Sequence, residues 1–356
     1  MQAVVLQRSE TAGKRPYDPV RIARVPRPAA AGADGAARAV VRLHAAALNH
    51  RDVFIRERQY PAVVDGSVLG ADGAGVLVAA PPGTALAPGA RVVINSSVGW
   101  DAAAAAPENI LDQRILGLLP KPGTFAEYIA VDPALVHPAP EHLSFEELAA
   151  LPLAGLTAFR ATFTLGEVSR GKTVLVPGIG GGVATFALQF AHAVGANVFV
   201  TSSSQAKIDG AIALGAAGGA KYTDADWVDQ LTAKAGLFDV IIDGASGPNV
   251  AAYLRLLKPG GILVIYGATA GSKVTLTVPY LWFKHVQIRG ACMGNNEEFG
   301  RMLKLISEHK LRPVIASVFD GLNSIDQAFD MMRKGAQFGK IVVRIAGPDA
   351  ADSAKL

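Results

Sequence analysis

Residues 174–191, VLVPGIGGGVATFALQFA, decide how this chain is read. An apolar run without polar alternation ends in Pro177 and a cluster of glycines, and the glycines open a stretch with helical spacing. Such runs mark strands covered on both faces, as in a parallel sheet flanked by helices. Glycines at the turn let the backbone approach a bound group, and the first helical turn offers unpaired N–H groups and the positive end of its dipole. The strict G-x-G-x-x-G spacing fails: counted from Gly178 the third position is Val183, and from Gly180 it is Thr185. The register starting at Ile179 keeps Gly181 and Ala184, where close approach matters most. Strand, glycine turn and helix in this order predict a dinucleotide site at Gly180, Gly181, Gly182 and Val183.

The same rhythm extends toward the C-terminus. Strands are expected at 173–178, 197–202, 238–245, 261–268 and 286–293, with helices at 184–196 and 206–216. Strand–helix alternation gives βαβ units and a doubly wound α/β sheet. Toward the N-terminus the pattern is different. Short β-like runs such as AVVRLHAAAL (39–48), GAGVLVAA (73–80) and GARVVINSS (89–97) are broken by Gly and Pro, which predicts a mainly antiparallel or barrel-like domain. The stretches 29–37 and 102–106 are alanine- and glycine-rich and read as surface segments or helix ends. After helical segments at 299–310 and 325–335, the run IVVRI (341–345) reads as a strand returning to the first domain.

The end of the second strand selects the dinucleotide. NAD sites place an Asp or Glu there, on the ribose 2′-hydroxyl. This chain has Thr201, Ser202, Ser203 and Ser204, with Lys207 just beyond. No carboxylate repels a 2′-phosphate, and hydroxyls with a lysine suit one. NADPH is therefore preferred over NADH. The serines also suit capping of the helix that follows.

Composition closes off other classes. Half of the 356 residues are hydrophobic, which excludes a disordered chain. The one cysteine, Cys292, excludes a disulfide framework and reads as a buried strand residue. No apolar run reaches the ~18 residues of a membrane span, and MQAVVLQRSE lacks the pattern of a secretory signal. The 34 basic residues against 30 acidic ones are scattered, so nucleic acid is not an expected partner. A cytoplasmic protein acting on a small molecule is the expectation.

Several stretches together carry a family resemblance: ALNHRDVFIRERQYP (47–61), VLGADGAGVLV (68–78), GTFAEYIAVD (123–132), ALPLAGLTAFRA (150–161), VLVPGIGGGVA (174–184), LLKPGGILVIYGATAG (256–271) and QFGKIVVRI (337–345). Over nearly its whole length the chain resembles the medium-chain dehydrogenase/reductase superfamily, in particular zinc-type alcohol dehydrogenase-like proteins and quinone oxidoreductases. The resemblance implies a Rossmann domain at 136–300, inserted in a discontinuous GroES-like catalytic domain formed by 1–135 and 301–356. It implies hydride transfer with a nicotinamide and, as in relatives, a homodimer joined at the last Rossmann strand.

The residues depart from the zinc pattern. The catalytic ligand positions fall on Asn49, on Ala71 and near Leu153, none of which suits tetrahedral zinc, and residues 95–120 hold no cysteine for a structural lobe. The expected branch is therefore zinc-independent. Without a metal to acidify an alcohol or polarise a carbonyl, quinones, enones and related activated carbonyl compounds suit the remaining groups. By resemblance, Asn49 and Tyr60 are candidates for holding the substrate, and Thr157 for facing the nicotinamide. His50, Tyr222, Gly267, Ala268, Thr269, Gly339 and Lys340 are candidates for the coenzyme. Asp52 reads as an acceptor fixing the Asn49 segment. Two alternatives stay open: an alcohol or aldehyde dehydrogenase with an atypical metal at His50, Asp52 and Asp72, and a nucleotide-binding protein without enzymatic activity.

Overall fold

The computed structural model describes residues 1–9, 17–32 and 35–345. The chain forms two compact units, Ala154–Gly294 and a discontinuous one made of Met1–Leu153 with the chain from Asn295 onward. Among the described residues no helix is long and apolar enough to cross a membrane.

The continuous unit is built on six parallel strands: Thr173–Val176, Asn197–Ser202, Gly218–Lys221, Phe238–Asp243, Leu257–Ile265 and Gln287–Gly290. Counted in chain order, they lie third, second, first, fourth, fifth, sixth across the sheet. This is the Rossmann order, and the chain reverses its winding between the first and fourth strands, where such sheets bind ligands. Central positions such as Val174, Leu175, Val240, Ile241, Leu263 and Val264 are wholly buried, which is why these runs show no polar alternation. Helices Gly182–Ala193, Gln205–Ala213, Trp227–Ala235 and Val250–Leu256 connect the strands.

The third strand, Gly218–Lys221, was not expected from its sequence, GGAK. Glycine disfavours strands, but a Cβ on Gly219 would lie 2.8 Å from the Val200 carbonyl oxygen and 2.9 Å from an Ile208 methyl. Close approach of its neighbours selects the glycine. The last strand stops at Gly290, so Cys292 lies beyond it and is exposed; the buried-strand reading of Cys292 is corrected.

The discontinuous unit carries a seven-stranded sheet. Its path is Ile315–Asp320, Lys340–Arg344, Ala39–Ala47, Asp72–Ala79, Arg91–Ile94 and Val136–Pro138, with Tyr128–Val131 pairing Ala39–Ala47 off this path. All pairs are antiparallel except Ile315–Asp320 with Lys340–Arg344. The tail strand thus returns to the N-terminal part, with Val342 opposite Ala47. The units meet in sequence at 153/154 and 294/295, where the sequence suggested 135/136 and 300/301. Val136–Pro138 extends the sheet beside Arg91–Ile94, helix Phe145–Ala149 packs on the neighbouring strands, and Asn296 donates to the Ala134 carbonyl at 2.8 Å. These contacts hold both flanks in the discontinuous unit. The alanines at 102–106 form a surface segment whose Ala102 and Ala103 N–H groups donate to the Glu108 carboxylate. Part of 29–37 falls outside the described residues.

Candidate active site

The candidate residues form two groups, one in each unit. In the discontinuous unit, Asn49 lies two residues beyond the strand Ala39–Ala47 and caps helix His50–Arg56. Its backbone N–H donates to Asp52 Oδ2 at 2.8 Å, the arrangement that favours an acid at the third helical position. Asp52 is therefore an acceptor for the Asn49 segment. The Asn49 side chain is buried and turned elsewhere: Nδ2 donates to Asp72 Oδ2 at 2.9 Å, and Oδ1 accepts from Lys340 Nζ at 2.7 Å. Lys340 gives two more hydrogens, to the Leu48 carbonyl and to Asp72 Oδ2, each at 2.8 Å. Asp72 Oδ1 accepts the Leu153 N–H at 2.8 Å.

An ammonium has three donors, and all three are used inside this cluster. Lys340 is 4% exposed and Asp72 fully buried; charges that far from water persist only when paired and fully hydrogen-bonded. Lys340 was expected beside the coenzyme, but its hydrogens are committed to protein acceptors. Gly339 serves the same cluster. At φ +108 it makes a turn where a Cβ would sit 2.3 Å from the Val314 carbonyl oxygen, and this turn feeds Lys340 inward at the start of its strand.

Beside the cluster, the buried Arg51 guanidinium lies 4.8 Å from the centre of the half-buried Tyr60 ring and donates to the Leu116 carbonyl at 2.8 Å. Its Nη1 is 3.7 Å from Asp52 Oδ1, which has no hydrogen-bond partner. Burial pushes the Asp52 carboxyl up to about 6, against the opposing pull of the Arg51 charge and the Asn49 N–H. The folded state therefore favours neutral Asp52. That contribution is full below the unfolded value of 3.8 and is lost as pH rises through about 6. Asp52→Asn is expected to remove up to about 3 kcal/mol of this pH-dependent loss. Urea unfolding of both proteins across this window checks it; parallel stability curves would refute it. His50 is exposed and set edge-on to Phe54, with ring centres 4.7 Å apart.

In the Rossmann unit, the Ile179 N–H donates to the Thr201 carbonyl at 2.8 Å, tying the glycine turn to the second strand. Gly180 has φ +140, and a Cβ there would lie 3.3 Å from Lys207 Nζ. The lysine thus lies across the glycine turn. Gly181 caps helix Gly182–Ala193 without a side-chain bond, and nothing comes within 4 Å of a Cβ built on it. Small residues and an uncapped helix start leave room and donors for a phosphate.

Ser202 ends the second strand buried, and its Oγ accepts the Ser204 N–H at 3.2 Å. Ser204 stands at the cap of helix Gln205–Ala213 but makes no side-chain cap bond, so the capping expectation fails. Ser203 is exposed, and the exposed Tyr222 is tied to the Ser202 carbonyl by its N–H at 3.1 Å. Gly180, Ser202, Ser203, Lys207 and Tyr222 therefore gather at the carboxyl ends of the first three strands. Beyond the fifth strand, the Gly267 carbonyl accepts Ser246 Oγ at 2.8 Å, and the Thr269 N–H donates to the Gly244 carbonyl at 3.3 Å. Ala268 and Thr269 are exposed there. Thr157 is buried and donates to Met293 Sδ at 3.8 Å.

Sequence reasoning missed Asp72 as the partner of Lys340, and Asp243, which shapes the turn after the fourth strand by accepting the Ala245 and Ser246 N–H groups at 3.1 and 2.8 Å. The available signal was a charged residue where a buried strand starts or ends.

Residues 35–141 match the family described as alcohol dehydrogenase GroES-like domain, and 182–308 match zinc-binding dehydrogenase. The chain is 38% identical to the zinc-type alcohol dehydrogenase-like protein YogA of Leptosphaeria maculans, over 96% of this chain and 99% of that one. It is 28% identical to a crotonyl-CoA reductase of Streptomyces avermitilis, over 79% and 68%. A crystal structure described as an NAD-dependent alcohol dehydrogenase superposes with a TM-score of 0.85 at 32% identity, over 97% of this chain and all of that one.

The residues at the zinc-ligand positions bear directly on the zinc named in some of these descriptions. Ala71 and Leu153 carry no donor side chain. Asn49 Oδ1 holds an ammonium, and both Asp72 oxygens are engaged. Among the described residues no group of three or more His, Cys, Asp or Glu could hold a metal ion, and the exposed His50 does not join buried Asp52 and Asp72 in one. This donor set does not fit tetrahedral zinc. With relatives that are oxidoreductases by name, a Rossmann strand order and a GroES-like partner unit, the chain is an enzyme, an oxidoreductase of the medium-chain dehydrogenase/reductase superfamily.

Proposed function

We propose that this enzyme is a zinc-independent, NADPH-dependent reductase of quinones, enones and related activated carbonyl compounds. The observation that carries this reading is the Lys340–Asn49–Asp72 cluster, in which an ammonium occupies Asn49 Oδ1, the side-chain oxygen at the first zinc-ligand position, together with the neighbouring Asp72 Oδ2. Its charges cancel, so it supplies orientation and little Lewis acidity. A simple alcohol needs strong activation; an electron-poor alkene or quinone does not. The crotonyl-CoA reductase relative acts, by its name, on an activated alkene.

Bound NADPH supplies the hydride. The glycine turn at Gly181 and the first turn of helix Gly182–Ala193 would take the pyrophosphate, while Lys207, Ser202, Ser203 and Tyr222 would take the 2′-phosphate. Asn49 keeps one Nδ2–H beyond its bond to Asp72. That hydrogen and the Tyr60 hydroxyl hold the substrate's carbonyl oxygen as charge develops on it. For an enone, hydride adds to the β-carbon, the alkene electron pair moves to the oxygen, and water protonates the resulting enolate. Thr157 lines the nicotinamide side.

A panel of quinones, enones, enoyl thioesters, aldehydes and alcohols, followed by coenzyme absorbance, tests the reading. Turnover of NADPH with quinones or enones is expected. Turnover confined to simple alcohols with an oxidised coenzyme would favour the dehydrogenase reading, which the neighbour described as an NAD-dependent alcohol dehydrogenase supports.

A homodimer completes the proposal. Gln287–Gly290 is an edge strand, and Ile288 on it and Trp282 and Phe283 before it are exposed. Open edges and apolar surface favour pairing with a second copy. Ile288→Lys with Phe283→Asp is expected to halve the mass measured by light scattering; an unchanged mass would count against this edge.

A further inference from the structure

We propose that Lys340 is the resident cation of this site, a positioning residue that fixes the Asn49 amide for donation to the substrate. The inference rests on the reductase reading and adds a role for a residue that never touches substrate. Three oxygens converge on Nζ: the Leu48 carbonyl, Asn49 Oδ1 and Asp72 Oδ2, at 2.8, 2.7 and 2.8 Å. The Asn49 amide is thereby held in one orientation. Its oxygen faces the ammonium and its nitrogen faces the Asp72 carboxylate, 2.9 Å away. Turning it over would set an NH₂ against an ammonium and a carbonyl against a carboxylate, two repulsions with little water to screen them. The ammonium also draws electron density toward Oδ1, which strengthens the remaining Nδ2–H as a donor.

Three chain segments meet at this one atom: the cap of helix His50–Arg56, the start of strand Asp72–Ala79 and the start of strand Lys340–Arg344. Asp72 Oδ1 further ties in the Leu153 N–H. Positions 49 and 153, which bind a metal in the zinc pattern, are thus joined through a lysine and a carboxylate. The cluster does mechanically what a metal shell does, without its Lewis acidity.

The test uses the full-length protein. Removing the ammonium alone strands the Asp72 charge, so the informative variant is the double substitution Lys340→Met with Asp72→Asn, which removes both charges together. It should fold, bind NADPH with an affinity within about threefold of wild type, and lose about 100-fold in kcat, the size of effect expected when a catalytic group is misplaced by about 1 Å. A kcat within about threefold of wild type would overturn the proposal. A second variant, Lys340→Ala, should regain melting temperature and kcat with propylammonium but not with propanol. Recovery with neither, or with both alike, would also overturn it. If wild type reduces none of the panel, the reductase reading falls by itself, and the melting-temperature response to propylammonium still decides whether an ammonium belongs in this seat.

Discussion

Lys340→Met should destabilise the protein by about 3–5 kcal/mol, because it leaves the fully buried Asp72 carboxylate without its counter-charge. Two N–H donors, from Asn49 and Leu153, remain on Asp72, and they do not replace an ammonium. Asp72→Asn should cost a comparable amount for the mirror reason, since it strands the cation. The double variant should recover much of the loss, because removing a buried pair together is often close to neutral. Urea unfolding of the four proteins gives the coupling directly. Additive losses would mean that the two charges do not depend on each other.

The second large effect concerns coenzyme choice. Lys207→Glu should weaken NADPH binding by about 100- to 1,000-fold and NADH by only a few-fold, since it removes a charge-assisted bond to a phosphate and adds a repulsion. No carboxylate lies among the residues 201–204 that end the second strand, so the wild-type site has little to repel the extra phosphate. Titration by nicotinamide fluorescence measures both affinities. Equal losses would assign Lys207 to the pyrophosphate shared by both coenzymes, a role its place across Gly180 also permits.

The Rossmann half was legible because its signals are local. A buried strand, a glycine turn and a helix follow one another within 174–191, and each carries its own propensity. Gly218–Lys221 escaped because its glycines answer to Val200 and Ile208, neighbours only in the fold. Cys292 was misread because an apolar run was carried past Gly290, where pairing stops. The cluster was harder still. Asn49 and Asp72 stand 23 residues apart, and Lys340 stands 268 beyond Asp72. No pattern along the chain links them. Losing the ligand-type residues at 49, 71 and 153 showed what the site lacks, and only the fold showed that a lysine from the returning tail joins Asn49 and Asp72. The serines after the second strand show the converse: capping was a sound local expectation, yet Ser202 Oγ serves the Ser204 N–H and Ser204 leaves the helix uncapped.

The claim that hydride transfer here proceeds without zinc is tested most directly by metal content and turnover measured on one preparation. Protein purified and dialysed against a strong chelator should carry far less than one zinc per chain and reduce its best quinone or enone at an unchanged rate, with no gain on adding zinc. Zinc retained at one per chain, with activity that falls on its removal and returns on its restoration, would contradict the account.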